Sequence, residues 1–393
     1  MPSLPLELLH IIVGLTDSTD LSSFRAASKT FCAVATPRLF RVLGCTNTVS
    51  STDSIVALLS CTYLHEYVEE FVYTDWYERP GEESFPWPPE DARVQENIIN
   101  AISQLKYLPA LHTISLTFSP FFLEPTSQYI DVNDEPSASL HLQRAVFSAF
   151  TALSNIPTLR SLTLECLTPF PNPIFTQHNF LSFFRGLTRL HLSTVSDTSM
   201  EGAVYQDPIV EFYTGAIPLI LRAPMSTLTS LALHSDQDVG SLPGLALSEL
   251  HYPHLTHLSL EQVLFDADTG AEAFILAHAS TLTSLRLSLC RVALPEENNA
   301  PDRTWADVYG ALQEGLVNLR RLEVTESWEG MDWPDGNPDG MKLRYARMDS
   351  GYGWNPYFGE HEEDGPGEEI WDAGDVQALE DFRQVVKLRG ADG

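Results

Sequence analysis

One short pattern, L-x-x-L-x-L, returns along most of the chain and restricts it to a stack of like units. It reads Leu111-Ile114-Leu116, Leu159-Leu162-Leu164, Leu187-Leu190-Leu192, Leu228-Leu231-Leu233, Leu255-Leu258-Leu260, Leu282-Leu285-Leu287 and Leu319-Leu322-Val324. A degenerate copy, Val68-Phe71-Tyr73, precedes these. The last two apolar positions lie two apart, so they share one face of a short strand while their neighbours face the other way. Such a strand satisfies its edges only by pairing with the next copy, so the copies stack in parallel. From Leu228 to Leu255 to Leu282 the step is 27 residues, a length that suits a strand, a loop and a helix. Helical spacing indeed fills the intervals at 94–108, 140–156, 178–186, 209–222, 271–280 and 305–316.

The two ends differ from the repeats. Leu4 to Leu43 reads as short amphipathic helices: Leu-Pro opens the first, Glu7 suits its positive end, and Leu8, Ile11, Ile12 and Leu15 recur at helical spacing. The polar stretch from Thr16 to Asp20 ends that helix and caps another carrying Leu21 and Phe24, and Thr36-Pro37 suggests a further restart. A unit of roughly forty residues this rich in Leu, Ile and Phe rarely buries its own apolar surface, which points to a partner. At the other end, residues 328–369 are rich in Gly, Pro, aromatic and acidic residues, which suggests an irregular cap and an acidic loop. Val376, Leu379, Phe382, Val385 and Val386 then mark one face of a closing helix.

The repeats resemble leucine-rich repeat proteins of the longer, helix-bearing kind, across residues 63–325. That family usually carries Asn or Cys three residues after the last strand leucine; here only Cys290 fits, and Ser119, Leu167, Val195, Asp236, Val263 and Ser327 stand elsewhere. The N-terminal segment resembles the F-box, through Leu4-Pro5-x-Glu7-Leu8, the Ile and Leu of its first helix, Asp20-Leu21, Ser28-Lys29 and the tail from Ala35 to Arg41. Phe31 stands where that family usually has Trp. The expected fold is therefore α/β: a three-helix F-box over 1–45, a curved leucine-rich-repeat solenoid with parallel strands and convex helices over 46–327, and an irregular acidic cap with a terminal helix over 328–393. The resemblance implies docking to a Skp-type adaptor of a cullin-based ubiquitin ligase, with Leu4, Pro5, Leu8, Ile11, Leu15, Leu21, Ser28 and Phe31 in or under the docking surface. A scaffold whose N-terminal helices serve only as a solenoid cap is the alternative, and exposure of Leu4, Leu8 and Ile11 separates the two.

Composition narrows the partners. Fifty-three Asp and Glu against 23 Lys and Arg give a formal charge of −30, unsuited to nucleic acid or an anionic membrane surface. The five scattered cysteines contain no C-x-x-C, and fit reduced thiols of a cytoplasmic or nuclear protein. The N-terminus lacks a basic leader, and no apolar run approaches about 20 residues, so neither a signal peptide nor a membrane span is expected.

The strand positions beside the leucines would line the concave face. Arg189, His191, His234, His257, Glu261, Arg286, Arg321 and Glu323 are the candidate target contacts there, with arginines as anchors. Trp76 and Trp87 are candidate aromatic contacts in loops that also carry acids, which suggests a basic target protein. His251, His254 and His257 are spaced three apart, but Pro253 breaks any helix that would align them, so no metal is expected. No G-x-S-x-G, H-E-x-x-H or phosphate-binding glycine loop occurs, so neither an enzyme nor a cofactor is expected.

Overall fold

The computed structural model describes residues 4–75, 92–120, 138–153, 156–196, 207–294, 303–325, 345–349, 353–356 and 372–391. The chain opens with α1 (Leu6–Leu15), α2 (Ser18–Ala27) and α3 (Lys29–Leu39), and continues as β1 (Val42–Thr46) and α4 (Val49–Leu59). Strands and helices then alternate: β2 (Glu70–Thr74), α5 (Ala92–Gln104), β3 (Thr113–Thr117), α6 (Ala138–Leu153), β4 (Ser161–Leu167), α7 (His178–Phe184) and β5 (Arg189–Thr194). The next helix is interrupted, with α8 (Asp207–Glu211) passing through a π-helical turn at Phe212–Ala216 into α9 (Ile217–Arg222). Then come β6 (Ser230–Val239), β7 (His257–Phe265), α10 (Ala271–Ala277), β8 (Ser284–Ser288), β9 (Arg291–Leu294), α11 (Trp305–Gly315) and β10 (Arg321–Thr325). The chain closes with β11 (Tyr345–Asp349), β12 (Gly353–Pro356) and α12 (Asp372–Ala391).

The fold is α/β and solenoid-like, built on a parallel sheet. Strands β1 to β8 pair in sequence order and β10 pairs with β8, all in parallel. The leucines are in register: Leu162, Leu190, Leu231, Leu258, Leu285 and Leu322 lie side by side across β4 to β10. They face the helices and join one continuous core. Its middle is aromatic, with the Phe147 ring 5.6 Å from both Phe175 and Phe180, and Phe150 stacked on Phe183 at 4.6 Å. Such pairs add about 0.5–1.5 kcal/mol each beyond their buried area.

The Asn/Cys ladder mostly absent from the sequence has a counterpart at the opposite end of the strands. Each of four copies reads Leu-Thr-x-Leu, and the threonine hydroxyl donates to the main-chain carbonyl of the preceding copy. Thr188 bonds Arg160 O at 3.1 Å, Thr229 bonds Thr188 O at 2.9 Å, Thr256 bonds Thr229 O at 3.0 Å and Thr283 bonds Thr256 O at 3.0 Å. At the other end Cys290 supplies one such contact, its thiol lying 3.5 Å from Leu260 O.

Several sequence expectations need correction. The sheet begins inside the segment bounded as 1–45, because Val42–Thr46 pairs with Glu70–Thr74. Thr36-Pro37 starts no new helix; α3 runs through Pro37, and the Thr36 hydroxyl turns back to Cys32 O at 2.7 Å. The proline lacks the N–H that would bond Ala33 O, so the helix gives up one bond of its ladder there. The cap expected to be irregular is strand where it is described: β7 continues past a bulge at Gln262 (φ 54°) and pairs with β9, β9 pairs with β11, and β11 and β12 form an antiparallel hairpin. The free edge of β9 accounts for this, since it offers unpaired backbone groups that β11 satisfies.

Helix α12 covers the last repeat as expected, burying Leu379, Phe382 and Val386. Asp375 accepts from Ala306 N at 2.8 Å and from Tyr345 OH at 2.7 Å. Arg383 donates to Val324 O, and Arg389 to Leu316 O and Gln313 O, which satisfies these three carbonyls at the end of the stack. Among the described residues no helix is long and apolar enough to cross a membrane.

Candidate binding surfaces

Helices α1 to α3 enclose a core of their own. Leu9, Val13, Leu21, Val34 and Ala35 are buried together, with Phe24, Phe31 and Leu39 packed against them, apart from the core of the repeats. Pro5 precedes α1, its carbonyl accepting from Leu8 N and Leu9 N, and Ser28 caps α3 by accepting from Phe31 N at 3.2 Å. The Phe31 and Phe24 rings lie 4.3 Å apart. Arg25 ties α2 to α3 through Thr36 and lies over the Phe40 ring.

The regular apolar stripe of α1 is not what the small core uses. Leu9 and Val13, four apart, point inward, and the rest of the helix stays open. Leu4 is 51% exposed, Leu6 53%, Leu8 46%, Ile11 57%, Ile12 39% and Leu15 82%. Large side chains exposed in a row on one helix mark an interaction surface. Among the predicted adaptor contacts, Leu4, Pro5, Leu8, Ile11, Leu15 and Ser28 are exposed, Phe31 is half-buried and Leu21 is buried beneath them. Ile12, already part of the helical spacing in the sequence, lies on the same face, whereas the exposed Leu6 lies on the other side of α1 and was not singled out by the sequence pattern.

On the sheet, the residues between the leucines form an open face, mostly half-buried. Its first part is lined by small hydroxyls, among them Thr113, Ser115, Thr117, Ser161 and Thr163. Charged and titratable groups gather further along. Arg189, His257 and Arg321 share one row of the register, and Arg286 lies beside Glu323 in the next. Arg321 donates to Glu323 from Nε at 3.1 Å, and this holds the Glu323 carboxyl below its usual range. His257 bonds Thr256 at 2.8 Å.

The structure brings His191, His234 and Glu261 together, and adds Glu165 and Ser259, which form a chain across four strands. Thr117 donates to Glu165 at 2.8 Å, Glu165 Oε1 lies 3.9 Å from His191 Nδ1, and His191 Nε2 lies 3.2 Å from His234 Nδ1. His234 Nε2 then meets Ser259 Oγ at 3.0 Å, while Glu261 Oε2 stands 3.5 Å from His234 Nδ1. Burial lowers the pKa of His191, against the pull of Glu165. Burial, with His191 and Arg286 nearby, lowers that of His234 to about 4. Both rings are therefore neutral at neutral pH, and their carboxylate contacts are not ion pairs there. Burial also raises Glu261, which Arg286 partly offsets.

Several acids at and beyond the strand ends are structural. Asp75 is buried and accepts from Tyr73 OH, Asn47, Ser119 N and Ser139, although burial still raises its pKa. Asp236 accepts twice from Ser196, and Asp266 holds Ser241 N and Thr269 N. Asp238 forms a buried ion pair with Arg291; burial pushes it up to about 6 against the pull of the guanidinium. Short acidic side chains tie down the chain where it leaves the strands, a role that charge counting does not separate from solvation. Trp76 and Trp87 lie outside the described residues.

Of the spaced histidines, His251 stacks near His278 at 5.4 Å. His278 is buried, with Nδ1 against Phe274 O and Nε2 accepting from Tyr252 N. Among the described residues no group of three or more His, Cys, Asp or Glu could hold a metal ion.

No protein-family model matches the sequence, and neither does any curated protein. Among solved structures, the chain is 14% identical to a chain of the yeast Rad7 and Elc1 complex, covering 86% of this chain and 91% of that one with a TM-score of 0.28. It is 11% identical to the D-psicose 3-epimerase, with D-tagatose, from Clostridium cellulolyticum H10, covering 88% and 89% with a TM-score of 0.19. Likeness at these scores carries no argument about either fold or function.

Proposed function

We propose that the protein is a target-recognition adaptor of a Skp-cullin-F-box ubiquitin ligase. In this reading α1 to α3 are an F-box that docks a Skp-type adaptor. The repeats are a curved leucine-rich-repeat solenoid whose open, concave face holds a target protein in the cytoplasm or nucleus. The observation that supports it is the exposed stripe from Leu4 to Leu15 on a module with a separate core. A helical cap for the solenoid would bury that stripe against the first repeat, whereas here the described contact between module and repeats runs through α3 and the turn at Thr62–Tyr67. The chain performs no chemistry in this role; it raises the target's effective concentration near the ligase. The net charge of −30 favours a basic target through long-range steering.

Co-purification with a Skp-type adaptor tests the reading. The intact chain is expected to bind, and a Leu8→Ala, Ile11→Ala variant to lose most of that binding. Failure of the intact chain to bind overturns the proposal, and equal binding by the variant overturns the assigned surface.

A further inference from the structure

The chain from Glu165 to Ser259 is a hydrogen-bond relay whose direction is open to inversion. The two imidazoles share one short contact, His191 Nε2 to His234 Nδ1 at 3.2 Å, so only one of those atoms carries a proton while both rings are neutral. Two arrangements satisfy the chain. In one, His191 Nε2–H donates to His234 Nδ1 and His234 Nε2–H donates to Ser259. In the other, Ser259 O–H donates to His234 Nε2, His234 Nδ1–H donates to His191 Nε2, and His191 Nδ1–H faces Glu165. The carboxylates decide between them. Glu165 lies 3.9 Å from His191 Nδ1, and Glu261 lies 3.5 Å from His234 Nδ1, so both face an N–H only in the second arrangement.

Addition of one proton reverses the order. A solvent proton bonds to His234 Nε2, the Nδ1 proton of His234 passes to His191 Nε2, and the Ser259 hydroxyl turns away while accepting from His234. The charge then rests on His191 beside Glu165, away from Arg286, which faces His234 from β8. The other titratable or charged groups around the pair are Cys166 on β4, Arg189 on β5, Asp236 towards the end of β6 and Glu261 on β7. Glu261 opposes the reversal, because its oxygen then meets a lone pair on His234.

We propose that His191, His234 and Ser259 form a one-proton switch on the open sheet face: with both rings neutral Ser259 offers lone pairs to a docked group, and with one proton added it offers its O–H. A partner's hydrogen-bond donor is thus favoured at Ser259 in the neutral state, and an acceptor such as a carboxylate in the protonated state. The adaptor reading enters only in naming a target protein as what docks there. The test below uses the isolated chain, so its failure is distinguishable from failure of adaptor binding.

Long-range proton–nitrogen NMR of the histidine rings reads the tautomers directly, with His191→Gln and His234→Gln spectra giving the assignments. At about pH 7.5 both rings are expected as Nδ1–H tautomers. On acidification His191 should become the imidazolium while His234 changes to the Nε2–H tautomer without gaining charge. In His191→Gln the His234 ring should titrate without that exchange. Glu165→Gln should lower the His191 midpoint by roughly half a pH unit, less than a buried pair gives because Glu165 is 40% exposed. An Nε2–H tautomer of His234 at neutral pH overturns the proposal. So do independent titrations of the two rings, an exchange that persists in His191→Gln, or a His191 midpoint unmoved in Glu165→Gln.

Discussion

Truncating two residues of the α1 stripe, Leu8→Ala with Ile11→Ala, should separate docking from folding. In the free chain these side chains are 46% and 57% exposed, so about half of each remains to be buried by a partner. Full burial of such a side chain is worth about 1.5–3 kcal/mol. The pair therefore has roughly 1.5–3 kcal/mol to lose, which weakens binding by about 10- to 150-fold at 1.4 kcal/mol per tenfold. Folding should hardly change, because neither residue belongs to the core of Leu9, Val13, Leu21, Val34 and Ala35. Calorimetric titration against a purified Skp-type adaptor measures the first quantity and thermal unfolding the second. Affinity within about threefold of the parent refutes the surface. A large loss of stability with no loss of affinity shows instead that the stripe is packed in the free protein.

Other consequences are open to measurement. Leu9→Ala should cost the small helical core about 2–5 kcal/mol and expose residues 6–39 to protease, while the repeats keep their melting transition. Arg291→Met should destabilise the repeats by about 3–5 kcal/mol in denaturant titrations, since it leaves the buried Asp238 carboxyl without its counter-charge and hydrogen-bond donor. His234 has a folded pKa of about 4, below its ordinary 6.5. The unfolded chain therefore binds the proton first, and the stability His234 contributes is present above pH 6.5 and lost as pH falls towards 4. The loss is at most about 3 kcal/mol, and His234→Gln should show a correspondingly shallower decline over that window. An identical decline in both proteins contradicts the neutral, buried ring.

The strand positions of the repeats were legible because each depends on two leucines of fixed spacing. Every copy from Ile114-Leu116 to Leu322-Val324 lies on a strand, and even the degenerate Phe71-Tyr73 lies on β2. The first strand was not legible. Its inward residues are Leu43 and Cys45 with Gly44 between them, and the following helix α4 begins with a polar run that reads as loop. The extension of β7 onto β9 was equally hidden, since it depends on a bulge at Gln262 and a pairing partner distant in sequence. His191, His234 and Glu261 were visible as polar strand positions, but their meeting depends on register. Ser259 was visible beside them too; only its contact with His234 makes it more than a solvated hydroxyl. Leu-Thr-x-Leu, by contrast, stood in plain view: the threonine follows the first leucine in four of the seven copies, and its carbonyl partner is fixed once the copies stack.

That threonine ladder has a consequence for how such a chain can change over generations. Beside the strand pairing itself, the copies are coupled at the leading ends of the strands, where Thr188, Thr229, Thr256 and Thr283 each hold the unit before them. Segments that leave the trailing ends are anchored by Asp75, Asp236 or Asp266, the first two reaching the neighbouring copy at Ser119 and Ser196. An insertion beyond these anchors leaves both them and the threonine ladder in place, and with them the spacing of its neighbours. The architecture can vary its loops independently while keeping a constant pitch, which is how one rigid frame comes to carry loops of very unequal length.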